Sequence, residues 1–187
     1  MAAEKPLHIL GISGSLRKKS YNTAALRAAQ QLLPEGVAME TLDLAAIPIY
    51  NDDVRKQGFP PPVERLRGKI AVADAVLIVT PEYNYSVPGM LKNAIDWASR
   101  PPNQPFDGKP VAIMGASPGV IGTARAQYHL RQSFVFLNAC VLNKPEVMIG
   151  SAATRFDAQG NLTDEATRGF IKALLVALAD WTQRLRK

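Results

Sequence analysis

Residues 11–22, GISGSLRKKSYN, contain many hydrogen-bond donors and no carboxylate. The segment holds two glycines, three serines, one asparagine and three adjacent cations. Glycines allow the backbone to approach an anion closely, and the N–H groups and dipole at a helix N-terminus favour negative charge. The segment therefore predicts a site for a phosphate group. Its side-chain donors would be Ser13, Ser15, Arg17, Ser20 and Asn22.

Three better-known glycine motifs do not match this segment. The Walker pattern requires Gly-Lys-Ser/Thr, whereas the chain has Lys-Lys-Ser at 18–20. The dinucleotide pattern fails because Gly11 and Gly14 are three residues apart, and the nucleophile elbow fails because residue 15 is serine. A plain turn followed by a capped helix remains the alternative interpretation.

Residues 80–89, TPEYNYSVPG, form a second candidate binding loop. Its prolines stiffen the backbone, a tyrosine offers a flat face, and backbone groups beside it can bind the edge of a planar ring. Considered alone, the loop is equally well explained as a surface turn. A third loop, at 115–123, contributes Ser117, Pro118 and Gly119, whose small size leaves room for a planar ligand, although a tight connection explains it as well.

The other polar residues do not indicate further chemistry. His8 and His129 have neither metal-ligand spacing nor a cysteine partner, so we expect no metal site. The acidic pairs at 52–53 and 164–165 are typical of a loop and of a first helical turn. We therefore assign no catalytic acid, base or nucleophile.

Hydrophobic patterning predicts the elements that position these loops. The predicted strands are 7–13, 37–44, 74–80, 110–117 and 146–151. The predicted helices are 21–33, 63–73, 88–99, 123–136 and 163–185, and residues 45–62 are predicted as a loop. This alternation is typical of a parallel sheet covered on both faces. In such sheets ligands bind beyond the carboxyl ends of the strands, where all three loops would lie.

Composition favours one ordinary globular domain. The chain has 187 residues, 47% of them hydrophobic, and no apolar run approaches the about 18 residues of a membrane span. Its single cysteine excludes an intrachain disulfide and fits a reducing cytoplasm, and we expect no signal peptide. The net charge of +6 favours anionic partners. Nucleic acid is not expected, since zinc spacing, RNA-binding aromatic motifs and long basic runs are absent from the sequence.

The three loops together resemble the NAD(P)H-dependent FMN reductase family, which includes bacterial quinone, chromate and azo-dye reductases. The matching motifs are GISGSLRKKSYN, TPEYNYSVPGMLKNAIDW and Ser117-Pro118-Gly119, and the likeness spans nearly the whole chain. The resemblance implies one flavodoxin-like domain over 1–187. It implies a doubly wound five-stranded parallel α/β sheet of order 2-1-3-4-5, with helices on both faces.

The resemblance also implies an FMN cofactor, NADPH or NADH as co-substrate, and quinones, chromate, azo compounds or free flavin as acceptors in a ping-pong reaction. The residues implied for the FMN phosphate and ribityl chain are Ser13, Ser15, Arg17, Ser20, Asn22 and Thr23. Those implied for the isoalloxazine ring are Pro81, Glu82, Tyr83, Asn84, Ser117 and Gly119. The family forms dimers and tetramers. Arg125, Tyr128 and Glu146 would lie at an interface, with a solvated helix face as the alternative.

Two other functions remain open at this stage. A flavodoxin-type electron carrier would bind FMN without oxidising NAD(P)H, but such carriers are typically acidic and this chain is basic. A regulatory or nucleic-acid-binding module would bind without flavin, and the sequence offers no recognised motif for it.

Overall fold

The central element is a parallel sheet whose strands lie close to the predicted positions. The computed structural model describes residues 6–186; residues 1–5, which include the start of the segment where we expect no signal peptide, and residue 187 lie outside the described residues. The strands are β1 (Leu7–Ser13), β2 (Val37–Leu42), β3 (Ala75–Val79), β4 (Pro110–Ala116), β5 (Cys140–Val141) and β6 (Val147–Ile149). Their order is β2-β1-β3-β4-β5, with β6 also beside β4, and all pairings are parallel. The flavodoxin-like fold class and the order 2-1-3-4-5 are therefore confirmed.

The fifth position of the sheet differs from the single predicted strand. Two short strands share it: β5 pairs with Pro110 and Val111, and β6 pairs with the last three residues of β4. Within residues 6–186 the sheet therefore has six strands rather than the predicted five. Pro145 lies between β5 and β6. Because proline has no N–H, it cannot continue a ladder of backbone hydrogen bonds.

The helices follow the predicted alternation, with one addition. They are α1 (Tyr21–Gln31), α2 (Asp52–Lys56), α3 (Pro61–Val72), α4 (Gly89–Ala98), α5 (Ala124–Phe136) and α6 (Glu165–Leu185). Helix α2 lies in the segment that was predicted as a loop. It is only five residues long and buries none of them, so it has no apolar periodicity to reveal it. Its N-cap, Asn51, accepts a hydrogen bond from the Asp53 N–H at 2.9 Å.

Two apolar layers cover the sheet. Helices α1 and α6 pack on one face, with Ala25 and Leu174 against Leu77. Helices α3, α4 and α5 cover the other face, with Leu66 and Phe134 in that core. All five residues of β3 are buried, as expected for a central parallel strand that is covered on both sides. The sheet is thus a rigid support for the loops at its carboxyl edge.

At the opposite, amino edge of the sheet, charged groups have partners. Asp74 accepts a hydrogen bond from the His8 N–H at 2.8 Å and pairs with Arg186. Burial raises the pKa of Asp74, but these two contacts outweigh burial and hold its pKa below the usual value. Lys109 donates to the carbonyls of Ala71 and Ala73, and burial lowers its pKa. These contacts stabilise the fold at the amino edge, whereas the predicted binding loops lie at the carboxyl edge.

Candidate functional site

The cradle loop, residues 13–23, is shaped largely by contacts within itself. The hydroxyls of Ser13 and Thr23 lie 3.0 Å apart, and the Ser15 N–H donates to the Ser13 hydroxyl at 3.3 Å. The Ser20 N–H donates to the Arg17 carbonyl at 3.1 Å and closes the turn. The predicted serines and threonine therefore line the bend between β1 and α1.

The start of α1 is fixed by a cap and by one long-range contact. The buried Ser20 is the N-cap, and its hydroxyl accepts from the N–H groups of Asn22 and Thr23. The Asn22 side chain, only 3% exposed, donates to the Ala116 carbonyl at 2.9 Å and accepts from the Ala116 N–H at 2.8 Å. The first turn of α1 is thereby attached to the end of β4.

The middle of the cradle loop keeps its donors available. The N–H groups of Leu16, Lys18 and Lys19 have no hydrogen-bond partner within residues 6–186. Arg17 and the two lysines form no ion pair with a carboxylate in the described part of the chain. The Arg17 guanidinium carbon lies 5.7 Å from the Tyr21 ring centroid. An anion at this helix N-terminus would meet backbone donors and cations together.

The ring loop, residues 81–88, contains a tight hairpin turn. Tyr83 and Ser86 exchange backbone hydrogen bonds of 3.1 and 3.0 Å. Between them, Asn84 and Tyr85 have φ angles of 49° and 66°, in the left-handed region. Asparagine adopts this conformation readily, whereas tyrosine does so at a cost in strain. The turn leaves the rings of Tyr83 and Tyr85 exposed.

Contacts with α5 hold the ring loop in place. The Glu82 carboxylate accepts the Ala126 N–H at 3.0 Å and an Arg125 guanidinium N–H at 3.3 Å. The same guanidinium lies 3.7 Å from the Tyr85 ring centroid. The Ser86 hydroxyl and His129 Nδ1 are 3.0 Å apart. Glu82 thus places a negative charge at the N-terminus of α5, where the helix dipole stabilises it.

The third predicted loop is a closely packed connection. The Ser117 hydroxyl accepts the Gly119 N–H at 3.1 Å. A Cβ atom on Gly150 would lie 1.9 Å from the Val120 carbonyl oxygen, so only glycine fits there. The backbone of the loop therefore packs closely against Gly150, while the side chains of Val120 and Ile121 are exposed.

The structure brings most of the predicted binding residues to one edge of the sheet. Four of them line a single cavity of about 310 Å³: Ser13, Ser15, Arg17 and Thr23. Gly14 joins the cradle loop to the ring loop, since a Cβ atom there would lie 3.3 Å from Pro81 and 3.0 Å from Leu91. Ser20 and Asn22 act at the start of α1, as described above.

Three side-chain contacts of α5 were not part of the sequence interpretation. Within this chain Arg125 pairs with Glu82, and Glu146 accepts a hydrogen bond from the Tyr128 hydroxyl at 3.4 Å. His129, which has no motif around it in the sequence, contacts the ring loop. The Arg125–Glu82 and His129–Ser86 partners lie 43 residues apart, and Tyr128 and Glu146 lie 18 residues apart. Sequence reasoning missed these contacts because no pattern links residues at such separations.

Residues 6–186 contain neither a metal-binding cluster nor a membrane-spanning helix. None of the groups of His, Cys, Asp and Glu in that range could hold a metal ion. The helices in the same range are too short or too polar to cross a membrane.

Known proteins resemble this chain over nearly its full length. The model of the family described as NADPH-dependent FMN reductase matches residues 7–154. An NAD(P)H-dependent FMN reductase of Pseudomonas aeruginosa is 62% identical over 180 residues, which are 96% of this chain and 97% of that protein. A quinone reductase of Escherichia coli K12 is 49% identical, with coverage of 96% and 97%. The solved structure of FerB, a flavoenzyme NAD(P)H:(acceptor) oxidoreductase from Paracoccus denitrificans, has a TM-score of 0.86 and 40% identity, and covers 95% of this chain and 97% of its own.

Proposed function

This chain belongs to the NADPH-dependent FMN reductase family, and on that premise we propose that it oxidises NAD(P)H through bound FMN and reduces quinones or similar acceptors. It is an NAD(P)H-dependent oxidoreductase that acts on small molecules, with FMN as its cofactor. Chromate, azo compounds and free flavin are the other acceptors that we propose.

The observation that carries this proposal is the open cradle loop beside a fixed ring loop. The phosphate of FMN is a dianion, and the N–H groups of Leu16, Lys18 and Lys19 are unpartnered within the described residues. Arg17 adds a cation without a carboxylate partner in that same range. The donor set therefore fits a phosphate. The neighbouring hairpin, with its exposed backbone and tyrosine rings, fits the edge of a planar ring.

We assign the predicted residues to three parts of the cofactor site. Those proposed for the phosphate and ribityl chain are Ser13, Ser15, Arg17, Ser20, Asn22 and Thr23. Those proposed to frame the ring are Pro81, Glu82, Tyr83 and Asn84, with Ser117 and Gly119 at its other edge. The buried contacts of Asn22 and Glu82 suit them to position these loops, since each side chain holds a backbone elsewhere.

The mechanism requires little chemistry from side chains. When bound, FMN supplies the redox centre through which electrons pass from NAD(P)H to the acceptor, in a ping-pong order. The cradle loop binds the phosphate, and the ring loop and α5 hold the ring edge in a fixed orientation. We assign proton donation to no side chain.

The remaining proposals concern the setting of this reaction. We propose one domain over 1–187, a cytoplasmic location on the basis of the single cysteine, and a homodimer or homotetramer. Arg125, Tyr128 and Glu146 are the proposed interface residues. Tyr128 is 50% exposed, and the Arg125 side chain is 41% exposed although it already contacts Glu82, so both offer surface to a second copy.

The decisive test is NADPH or NADH oxidation by the purified protein, loaded with FMN, with a benzoquinone under anaerobic conditions. We expect turnover that disappears when FMN is stripped and returns when it is added back. Free FMN at the same concentration, without protein, is the control. FMN binding without oxidation of either dinucleotide would overturn the proposal and support an electron carrier.

A further inference from the structure

The cavity beside the cradle loop extends well beyond the residues proposed for FMN. Its volume is about 310 Å³, and the cradle loop forms one wall. Its other walls are the exposed side of α1, with Arg27 and Gln30, and the end of β2, with Thr41 and Asp43. Leu26 and Leu42 are buried apolar residues that also line it. The cavity therefore includes part of the proposed phosphate site and continues from it to the edge strand of the sheet.

Within residues 6–186, the charged groups around this cavity have no ionic partners. Arg17, Lys18, Arg27 and Asp43 all line it, and none of them forms a salt bridge among the residues that the structure describes. Among the described residues, the Arg27 guanidinium donates one hydrogen bond, of 3.3 Å, to the carbonyl of Gly160. One oxygen of Asp43 accepts the Ala45 N–H at 2.9 Å, which leaves its second oxygen for a ligand.

The cavity combines the groups that recognise a phosphorylated sugar. Cations bind a phosphate, whereas a carboxylate and neutral polar side chains such as Gln30 and Thr41 bind hydroxyls. Asp43 follows the last residue of β2 directly. In dinucleotide-binding folds with a G-x-G-x-x-G loop, which this chain lacks, an acidic residue binds the ribose 2′-hydroxyl of NAD, or an arginine accommodates the 2′-phosphate of NADP. Asp43 and Arg27 supply both kinds of group in this cavity.

We propose that the part of this cavity between α1 and the end of β2 is the subsite for the adenosine ribose and 2′-phosphate of NADPH, while the part at the cradle loop belongs to FMN. Lys18 and Arg27 bind the 2′-phosphate, and Asp43 binds the neighbouring ribose hydroxyl. This inference rests on the proposed function, because the nicotinamide of the bound dinucleotide must reach the neighbouring flavin. It adds to that function a preference for NADPH over NADH. Asp43 opposes that discrimination, since its carboxylate repels the 2′-phosphate.

The direct test uses two fragments that differ only in the 2′-phosphate. Adenosine 2′,5′-bisphosphate and adenosine 5′-monophosphate are titrated into the FMN-loaded protein at low ionic strength, by calorimetry. We expect the bisphosphate to bind about tenfold more tightly, because it gains charge-assisted hydrogen bonds. FMN in the ultrafiltrate is measured throughout, and we expect it to stay bound.

Charge variants then locate the phosphate. Lys18→Ala and Arg27→Ala should each reduce the affinity ratio of the two fragments to about twofold. Lys19→Ala is the matched control, since it removes the same charge from the same loop but does not line the cavity. Asp43→Asn, which keeps the acceptor for the Ala45 N–H, should raise the ratio by about threefold.

Three results would overturn the subsite. These are equal binding of the two fragments, equal effects of Lys18→Ala and Lys19→Ala, or release of FMN by the bisphosphate, which would place the fragment in the cradle itself. The NADH–benzoquinone activity of the unaltered protein separates the two proposals. Normal activity with any of these results removes the subsite alone, whereas absent activity removes the proposed function.

Discussion

Ser13 in the cradle loop contacts Thr23, 10 residues away, whereas Glu82 in the ring loop contacts Ala126, 44 residues away. Both loops follow neighbouring strands, β1 and β3. The cradle loop is shaped by its own serines and by the cap of α1, while the ring loop is held by a charge, a stacked guanidinium and a histidine of α5.

This difference matches what each loop is proposed to bind. A phosphate needs donors that the protein itself does not use, and the middle of the cradle loop has them. A planar ring needs an edge that does not move, and the contacts with α5 provide that rigidity. We therefore expect changes in the ring loop to affect folding and binding together, and changes in the middle of the cradle loop to affect binding alone.

The largest effect is expected at Asn22, whose side chain makes two buried long-range hydrogen bonds from the cradle loop. Asn22→Ala leaves the buried N–H and carbonyl of Ala116 without partners, so we expect a loss of about 3 kcal/mol in the free energy of unfolding. Urea unfolding of the FMN-free protein measures it. Gln31→Ala, at the exposed end of the same helix, is the control, and it should change the free energy of unfolding very little. A loss as small as that of the control would show that the contact with Ala116 is unimportant.

The next effect is expected at Glu82, where the comparison predicts a double consequence. Glu82→Ala removes the contacts with Arg125 and the Ala126 N–H. We expect it to cost about 2 kcal/mol of unfolding free energy and about tenfold in FMN affinity. Urea unfolding and flavin fluorescence titration measure the two.

Two companion variants make the Glu82 result interpretable. Glu82→Gln keeps an acceptor for the Ala126 N–H, so its loss of unfolding free energy should be about half that of Glu82→Ala. Glu35→Ala, an exposed carboxylate in the turn before β2, should leave both quantities nearly unchanged. Loss of FMN affinity at full stability would mean that Glu82 touches the cofactor and does not act through the loop.

Arg17 tests the other half of the comparison. Arg17→Ala should weaken FMN binding about tenfold through the loss of a charged donor. It should change the unfolding free energy of the FMN-free protein by less than about 0.5 kcal/mol, because the side chain is exposed. Lys19→Ala should weaken FMN binding by less than about threefold. If the two variants weaken FMN binding equally, Arg17 contributes only positive charge and makes no specific contact with the phosphate.

The smallest effect is expected at Ser86. Ser86→Ala removes the contact with His129 and should cost about 0.5 kcal/mol of unfolding free energy, since the pair is exposed. The double variant with His129→Ala tests the contact itself. If the effects of the two single variants simply add, the side chains do not interact and this part of the loop's attachment does not exist.

Local patterns made most of the fold predictable. The apolar runs of β1, β3 and β4 and the alternation of helices lead directly to a parallel sheet. The strand order that the family resemblance implied is confirmed. Helix α2 and the divided fifth strand could not be predicted in the same way. The first has no buried residue, and the second depends on Pro145 interrupting a ladder that only the folded sheet defines.

In the candidate site, too, local features could be predicted from the sequence and long-range contacts could not. Ser13, Ser15, Arg17 and Ser20 lie within eight residues of one another, so their spacing alone predicts a cradle. The contacts of Glu82 with Arg125, and of Asn22 with Ala116, join distant segments and carry no sequence pattern. The cavity at Asp43 likewise exists only once β2 has paired with β1.

The most direct test of the central claim compares FMN with riboflavin, which has the same ring and lacks the phosphate. Both are titrated into the flavin-free protein, and their dissociation constants are measured by flavin fluorescence. If the cradle loop binds the phosphate, FMN should bind about a hundredfold more tightly than riboflavin. Equal affinities, or a protein that takes up neither flavin, would contradict this account of the site.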